Sequence, residues 1–135
     1  MTAKPWYDFY RGDFRKLTAA NIPDSSVHMI FTDPPYGGEY LELWQPLAKL
    51  AERVLVNGGL LVTYSGQYHL PRVLDALRKH LKFVWMDCLY TPKANALMRP
   101  VRVKSQWKPM LIFVKGKYEI TCPTECKADC RIDTG

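Results

Sequence analysis

The sequence predicts an α/β domain built on a mostly parallel sheet, and three features carry that prediction. Residues 27–32 form a short apolar run that stops abruptly at Asp33-Pro34-Pro35-Tyr36. Residues 40–56 then place Leu41, Trp44, Leu47, Leu50 and Val54 at helical spacing. The same pairing repeats, with a strand over 60–64, a helix over 71–81 and a strand over 83–90. Such alternation is the pattern of a doubly wound sheet with helices on both faces. With 135 residues the chain has the size of one domain.

Taken in order, residues 6–11 alternate aromatic and polar side chains and read as a first strand, closed by Gly12-Asp13. Asp13 suits the N-cap of a short helix over 14–20, and residues 21–26 are a loop by their Asn, Pro, Asp and Ser content. Consecutive prolines end the next strand because proline cannot donate to a ladder and pushes its predecessor out of helical geometry. Pro46 starts or kinks the helix that follows, and Asn57-Gly58-Gly59 closes it. Ser65 after the 60–64 strand caps the next helix or, with Gln67, lines a pocket, and the capping role is favoured. His69 and His80 have no partner at metal spacing, and Cys88 reads as a small buried residue within its strand. Residues 92–106 are irregular and basic, and 107–116 form a last buried strand.

The chemistry concentrates at the end of the 27–32 strand, the edge at which open parallel sheets hold their ligands. An exocyclic amine on a nucleobase is a poor nucleophile because its lone pair is delocalised into the ring. The Asp33 carboxylate and the Pro34 carbonyl are both acceptors. Together they bond the two amine hydrogens and favour a pyramidal nitrogen whose lone pair points at an electrophile. Tyr36 offers a stacking surface for a base swung out of a helix, and Pro34-Pro35 holds these groups without reorganisation.

Residues Ile30-Phe31-Thr32-Asp33-Pro34-Pro35-Tyr36 resemble the signature of the amino-group DNA methyltransferases that use S-adenosylmethionine, in particular the adenine-N6 type. Gly12-Asp13-Phe14 upstream and Asn57-Gly58-Gly59-Leu60-Leu61 downstream support the likeness, which runs from about Tyr7 to Lys115. The resemblance implies a partial Rossmann-like methyltransferase sheet whose last strand is antiparallel. It implies Asp33, Pro34, Pro35 and Tyr36 as catalytic residues, and Asp13, Phe31 and Asp33 beside S-adenosyl-L-methionine. DNA is the implied substrate, as in restriction-modification enzymes. Lys93, Arg99, Arg102 and Lys104, in the basic segment at the same edge, are candidates for the DNA backbone.

The net charge of +6 agrees with a polyanionic partner. No run is long enough for a membrane span and residues 1–5 lack the apolar core of a signal peptide, so a cytoplasmic protein with reduced thiols is expected. Residues 1–117 read as the catalytic unit and 118–135 as a Cys-containing tail. Cys122, Cys126 and Cys130 lie four apart, but close pairs and histidines are missing and Pro123 interrupts them, so no metal site is expected.

The family also has a strand ending in a Gly-rich cofactor motif followed by an acidic residue. Neither occurs here: Asn57-Gly58-Gly59 precedes a strand instead of following one. The chain resembles the catalytic half of a permuted member: a truncated subdomain whose open strand edges pair in a dimer, a half completed by another chain carrying the cofactor half, or a compact remnant whose first strand pairs with the 27–32 strand. A non-catalytic DNA-binding remnant or partner subunit is the alternative reading, and a cytosine-N4 or RNA methyltransferase a further one.

Overall fold

A computed structural model describes residues 6–92, 96–119 and 130–132, without the side chains of 96 and 130–132. Five strands form one sheet: β1 (Val27–Thr32), β2 (Leu55–Tyr64), β3 (Lys82–Tyr90), β6 (Trp107–Val114) and β7 (Cys130–Ile132), in the order β1-β2-β6-β3-β7. β1 runs parallel to β2 and β3 parallel to β7, whereas β6 is antiparallel to both β2 and β3. Four strands therefore point one way and β6 alone runs against them, as expected of the last strand in the 7–115 region. Between β3 and β6 a separate two-stranded hairpin, β4 (Ala96–Met98) with β5 (Val103–Ser105), stands outside this sheet.

The helices α1 (Trp44–Val54) and α2 (Leu70–Arg78) pack against each other and share one core with the sheet. Trp44, Leu47, Ala48 and Ala51 of α1 and Val73 and Leu77 of α2 meet Leu61 of β2 and Leu111 and Phe113 of β6, all buried. Helical spacing on one side and strand alternation on the other make these faces meet. Of the two helical layers expected, the described residues supply one. Met29 and Phe31 of β1 and Trp85 of β3 are exposed. No described helix is long and apolar enough to cross a membrane.

Several local expectations are corrected. Residues 6–11 are not a strand: they run as exposed coil, with Trp6 95% and Phe9 85% accessible. After Asp13 comes one 3-10 turn, Phe14–Lys16, and no helix to residue 20. A second 3-10 turn, Gly38–Leu43, leads into α1, and Pro46 sits in the first turn of that helix, where its missing N–H costs nothing. Asn57-Gly58-Gly59 is no helix cap. α1 ends at Val54 with Leu55 as its C-cap, and the triplet lies inside β2 as an irregularity where the pairing jumps from Val27↔Leu55 to Met29↔Leu60. Gly58 has φ +82° there, a conformation that glycine adopts without strain. The 92–106 segment is more ordered than its composition suggested, since it contains the β4–β5 hairpin.

Candidate nucleobase and cofactor site

The site is assembled at the carboxyl edge of the parallel strands. Asp33 and Tyr36 follow β1, Ser65 to Gln67 follow β2 and Thr91 follows β3. Because β6 runs antiparallel, its first residues reach the same edge: Trp107 pairs with Tyr90 and Lys108 with Leu89, while the Ser65 N–H donates to the Pro109 carbonyl at 3.1 Å. One edge thus gathers side chains from four strands.

The Tyr36 hydroxyl donates to Asp33 Oδ1. Partial burial of the ring, and then the adjacent carboxylate, push the Tyr36 phenol above its usual range, so it stays protonated as this donor. Lys108 Nζ lies 3.9 Å from Asp33 Oδ2, 5.5 Å from the centre of the Tyr36 ring and 5.8 Å from that of Tyr64. One ammonium thus faces a carboxylate and two aromatic rings. Both members of the Lys108–Asp33 pair are nearly half exposed, so solvent screens it and it adds little to stability. Its effect is on orientation and local charge at Asp33. Gly66 seats Tyr36: a Cβ there would stand 2.9 Å from Tyr36 Cβ.

The Asp33-Pro34-Pro35-Tyr36 loop separates two clefts of about 450 Å³ each, a size within the range of small-molecule sites. The first is bordered by Tyr36, Gly66, Gln67, His69, Trp107 and Lys108 and by Leu97, Met98 and Arg99 of the hairpin. The second is lined by Phe14, Ile30, Phe31, Thr32, Pro34, Pro35 and Trp44, with Leu43, Leu47 and Leu50. The first mixes aromatic walls with polar groups, and the second offers a largely apolar slot for a flat group.

Of the residues singled out by sequence, Phe31, Pro34 and Pro35 line the second cleft and Tyr36 the first. Asp13 is the N-cap of the 3-10 turn. It accepts the Arg15 N–H at 2.9 Å and the Arg15 side chain at 2.7 Å, and these bonds hold its carboxyl at about 2. Its neighbour Phe14, named from the sequence only within the Gly12-Asp13-Phe14 segment and not as a site residue, reaches the second cleft. Arg99 borders the first cleft, Arg102 and Lys104 are exposed on the hairpin, and Lys93 lies outside the described residues. Cys122 and Cys126 also lie outside them.

Ser65 is no cap. The residue before α2 is His69, which makes no side-chain capping bond, whereas Ser65 is buried and borders the first cleft. Gln67 Nε2 donates to Ser105 Oγ at 2.5 Å and to the Trp107 carbonyl at 2.6 Å, fixing the hairpin root to the sheet. Cys88 is only partly buried. Lys108 and Gly66 were missed by the sequence reading, because their importance depends on which strand end lies beside Tyr36.

No family model matches the chain, and no curated protein matches it in sequence. Among solved structures it is similar to the PvuII DNA methyltransferase, described as cytosine-N4-specific, with a TM-score of 0.75 and 17% identity over 92% of this chain and 56% of that one. A Thermus thermophilus protein provisionally named a DNA modification methylase matches with a TM-score of 0.62 and 23% identity, over 83% of this chain and 54% of the other. The M1.HpyAVI–SAM complex matches with a TM-score of 0.62 and 17% identity, over 84% of this chain and 54% of the other. These likenesses establish a Rossmann-like methyltransferase fold. The chain spans about half the length of the structures it matches.

Proposed function

We propose that this chain is the catalytic half of an S-adenosylmethionine-dependent DNA methyltransferase acting on an exocyclic base amine, with adenine N6 as the favoured target. The observation that carries the reading is the Asp33-Pro34-Pro35-Tyr36 loop standing between a mixed polar and aromatic cleft and an apolar one. In this reading the flipped base enters the cleft beside Tyr36, and Lys93, Arg99, Arg102 and Lys104 meet the DNA backbone. Asp33 and the Pro34 carbonyl accept the two amine hydrogens and aim the lone pair, and Asp33 takes up the proton that the amine loses. Tyr36 stacks on the base while its hydroxyl keeps Asp33 oriented.

S-adenosylmethionine, when bound, supplies a methyl group on a sulfonium. The residues present fit part of it. Phe14, Phe31 and Trp44 line a slot suited to the adenine ring, and Asp13 precedes Phe14 in the chain, but the described lining of the slot offers no carboxylate for ribose hydroxyls and no Gly-rich loop. We therefore assign the remaining contacts to residues outside those described, whether in a longer form of this polypeptide, a second copy or another chain, meeting the edge of β1 that no described strand pairs. Two of the similar structures are complexes with this cofactor, in agreement with its assignment.

Cytosine N4 is the second reading. It is favoured by the likeness to the cytosine-N4-specific PvuII enzyme, while an Asp at position 33, where cytosine enzymes usually carry Ser, favours adenine. Both are tested by incubating the full chain, at concentrations that promote self-association, with tritiated S-adenosylmethionine and plasmid DNA, then separating the nucleosides. Label on N6-methyladenine is expected, and Asp33→Ala lowers it by at least about 10²-fold. Label on N4-methylcytosine selects the second reading, and equal label with Asp33→Ala contradicts the mechanism.

A further inference from the structure

The β4–β5 hairpin stands outside the five-stranded sheet, with a fixed root and a turn that carries Pro100 and Val101 between two arginines. Its root is held where Gln67 bonds both Ser105 Oγ and the Trp107 carbonyl, and where the Thr91 N–H donates to the Gln106 carbonyl at 2.7 Å. Met98 pairs with Val103, so residues 99–102 form the connecting turn. Within it the Val101 N–H donates to the Met98 carbonyl at 3.2 Å. Val101 and Val103 are each 54% exposed and Leu97 51%, an unusual concentration of apolar surface on so small an element. Arg99, Arg102 and Lys104 surround them, and no acidic residue occurs between Asp87 and Glu119. Arg102 stands at φ +54°, a position that glycine or asparagine fills more easily, so the turn carries a cation against local backbone preference. The hairpin also borders the cleft that holds Tyr36.

From these features we infer that the hairpin is a wedge for duplex DNA, with Val101 entering the stack at the gap left by the base that turns toward Tyr36. The inference rests on the DNA reading above and deepens it by naming the element that opens the duplex. Apolar side chains inserted between base steps hold them unstacked, while flanking cations bind the phosphates on either side. A wedge gains most where the duplex is already open, because the cost of unstacking has been removed.

The test needs no recognition sequence. The full chain is titrated by fluorescence anisotropy against an intact 20-base-pair duplex and the same duplex with one abasic position. The abasic duplex is expected to bind about tenfold more tightly. Val101→Ala reduces that preference to under about twofold with affinity for the intact duplex little changed, and Val101→Leu retains it. Replacing Arg99 and Arg102 together by Ala weakens both duplexes alike and flattens the salt dependence. Equal binding of both duplexes by the unmodified chain, or a preference that survives in Val101→Ala, overturns the wedge while leaving the DNA reading intact. Failure to bind either duplex contradicts the DNA reading, and the wedge falls with it. A change of solution mass in Val101→Ala makes the tip a protein contact and likewise overturns the proposal.

Discussion

Phe113 and Phe31 belong to the same sheet and to strands separated only by β2, yet they lead opposite lives. Phe113 of β6 is fully buried between the sheet and its two helices, whereas Phe31 of β1 is 57% exposed beside the loop that carries Asp33. The core side of the molecule is finished: helix stripes and alternate strand positions interlock there. The outer side of β1 is not: Met29 and Phe31 face solvent and no described strand pairs with that edge. Stability and the proposed site are therefore carried by different regions. The packed half holds the strands in place, and the half-covered half presents the groups that a ligand or a second polypeptide would meet.

That division can be broken or sharpened by substitution. Phe113→Ala should have the largest effect, about 3–5 kcal/mol of stability by urea denaturation, since it leaves a void in a core with no freedom to close it. Gly66→Ala comes next, at about 1–3 kcal/mol, because the added methyl displaces Tyr36. It should also reduce nucleoside binding more than it reduces the unfolding midpoint. Lys108→Met should cost under about 1 kcal/mol of stability and weaken nucleoside binding up to about fivefold by equilibrium titration, as expected for a half-exposed charge. Phe31→Ser should be smallest, within about 0.5 kcal/mol for the isolated chain. A loss there as large as at Phe113 would mean that the β1 edge is covered in solution.

The sheet, its helices and the position of Asp33 were legible because each depends on a local pattern: apolar runs, helical spacing, prolines at a strand end. What failed depended on neighbours. Residues 6–11 have a strand's alternation, but alternation only marks two faces, and without an adjacent strand the segment stays extended coil. Asn57-Gly58-Gly59 has the composition of a helix cap and serves instead as an irregularity within β2. The β4–β5 turn was hidden because its left-handed position is filled by Arg102, not by glycine or asparagine. Lys108 was missed although an antiparallel last strand was expected, because its place beside Asp33 also depends on β6 lying between β2 and β3. Ser65, for which capping was favoured over a pocket role, lies buried at the first cleft together with Gln67, because β2 ends at that edge.

Under the proposed function the Asp33–Tyr36 loop divides a base cleft from a cofactor cleft. The most direct test of that division is nitrogen-15 NMR of the full chain titrated separately with S-adenosylmethionine, 2′-deoxyadenosine and 2′-deoxycytidine, which detects weak binding to partial sites. S-adenosylmethionine is expected to shift the amides around Phe14, Phe31 and Trp44, and the favoured nucleoside those around Tyr36, Gln67 and His69. Perturbation of the same cleft by all three ligands, or of neither cleft by any, would contradict that division.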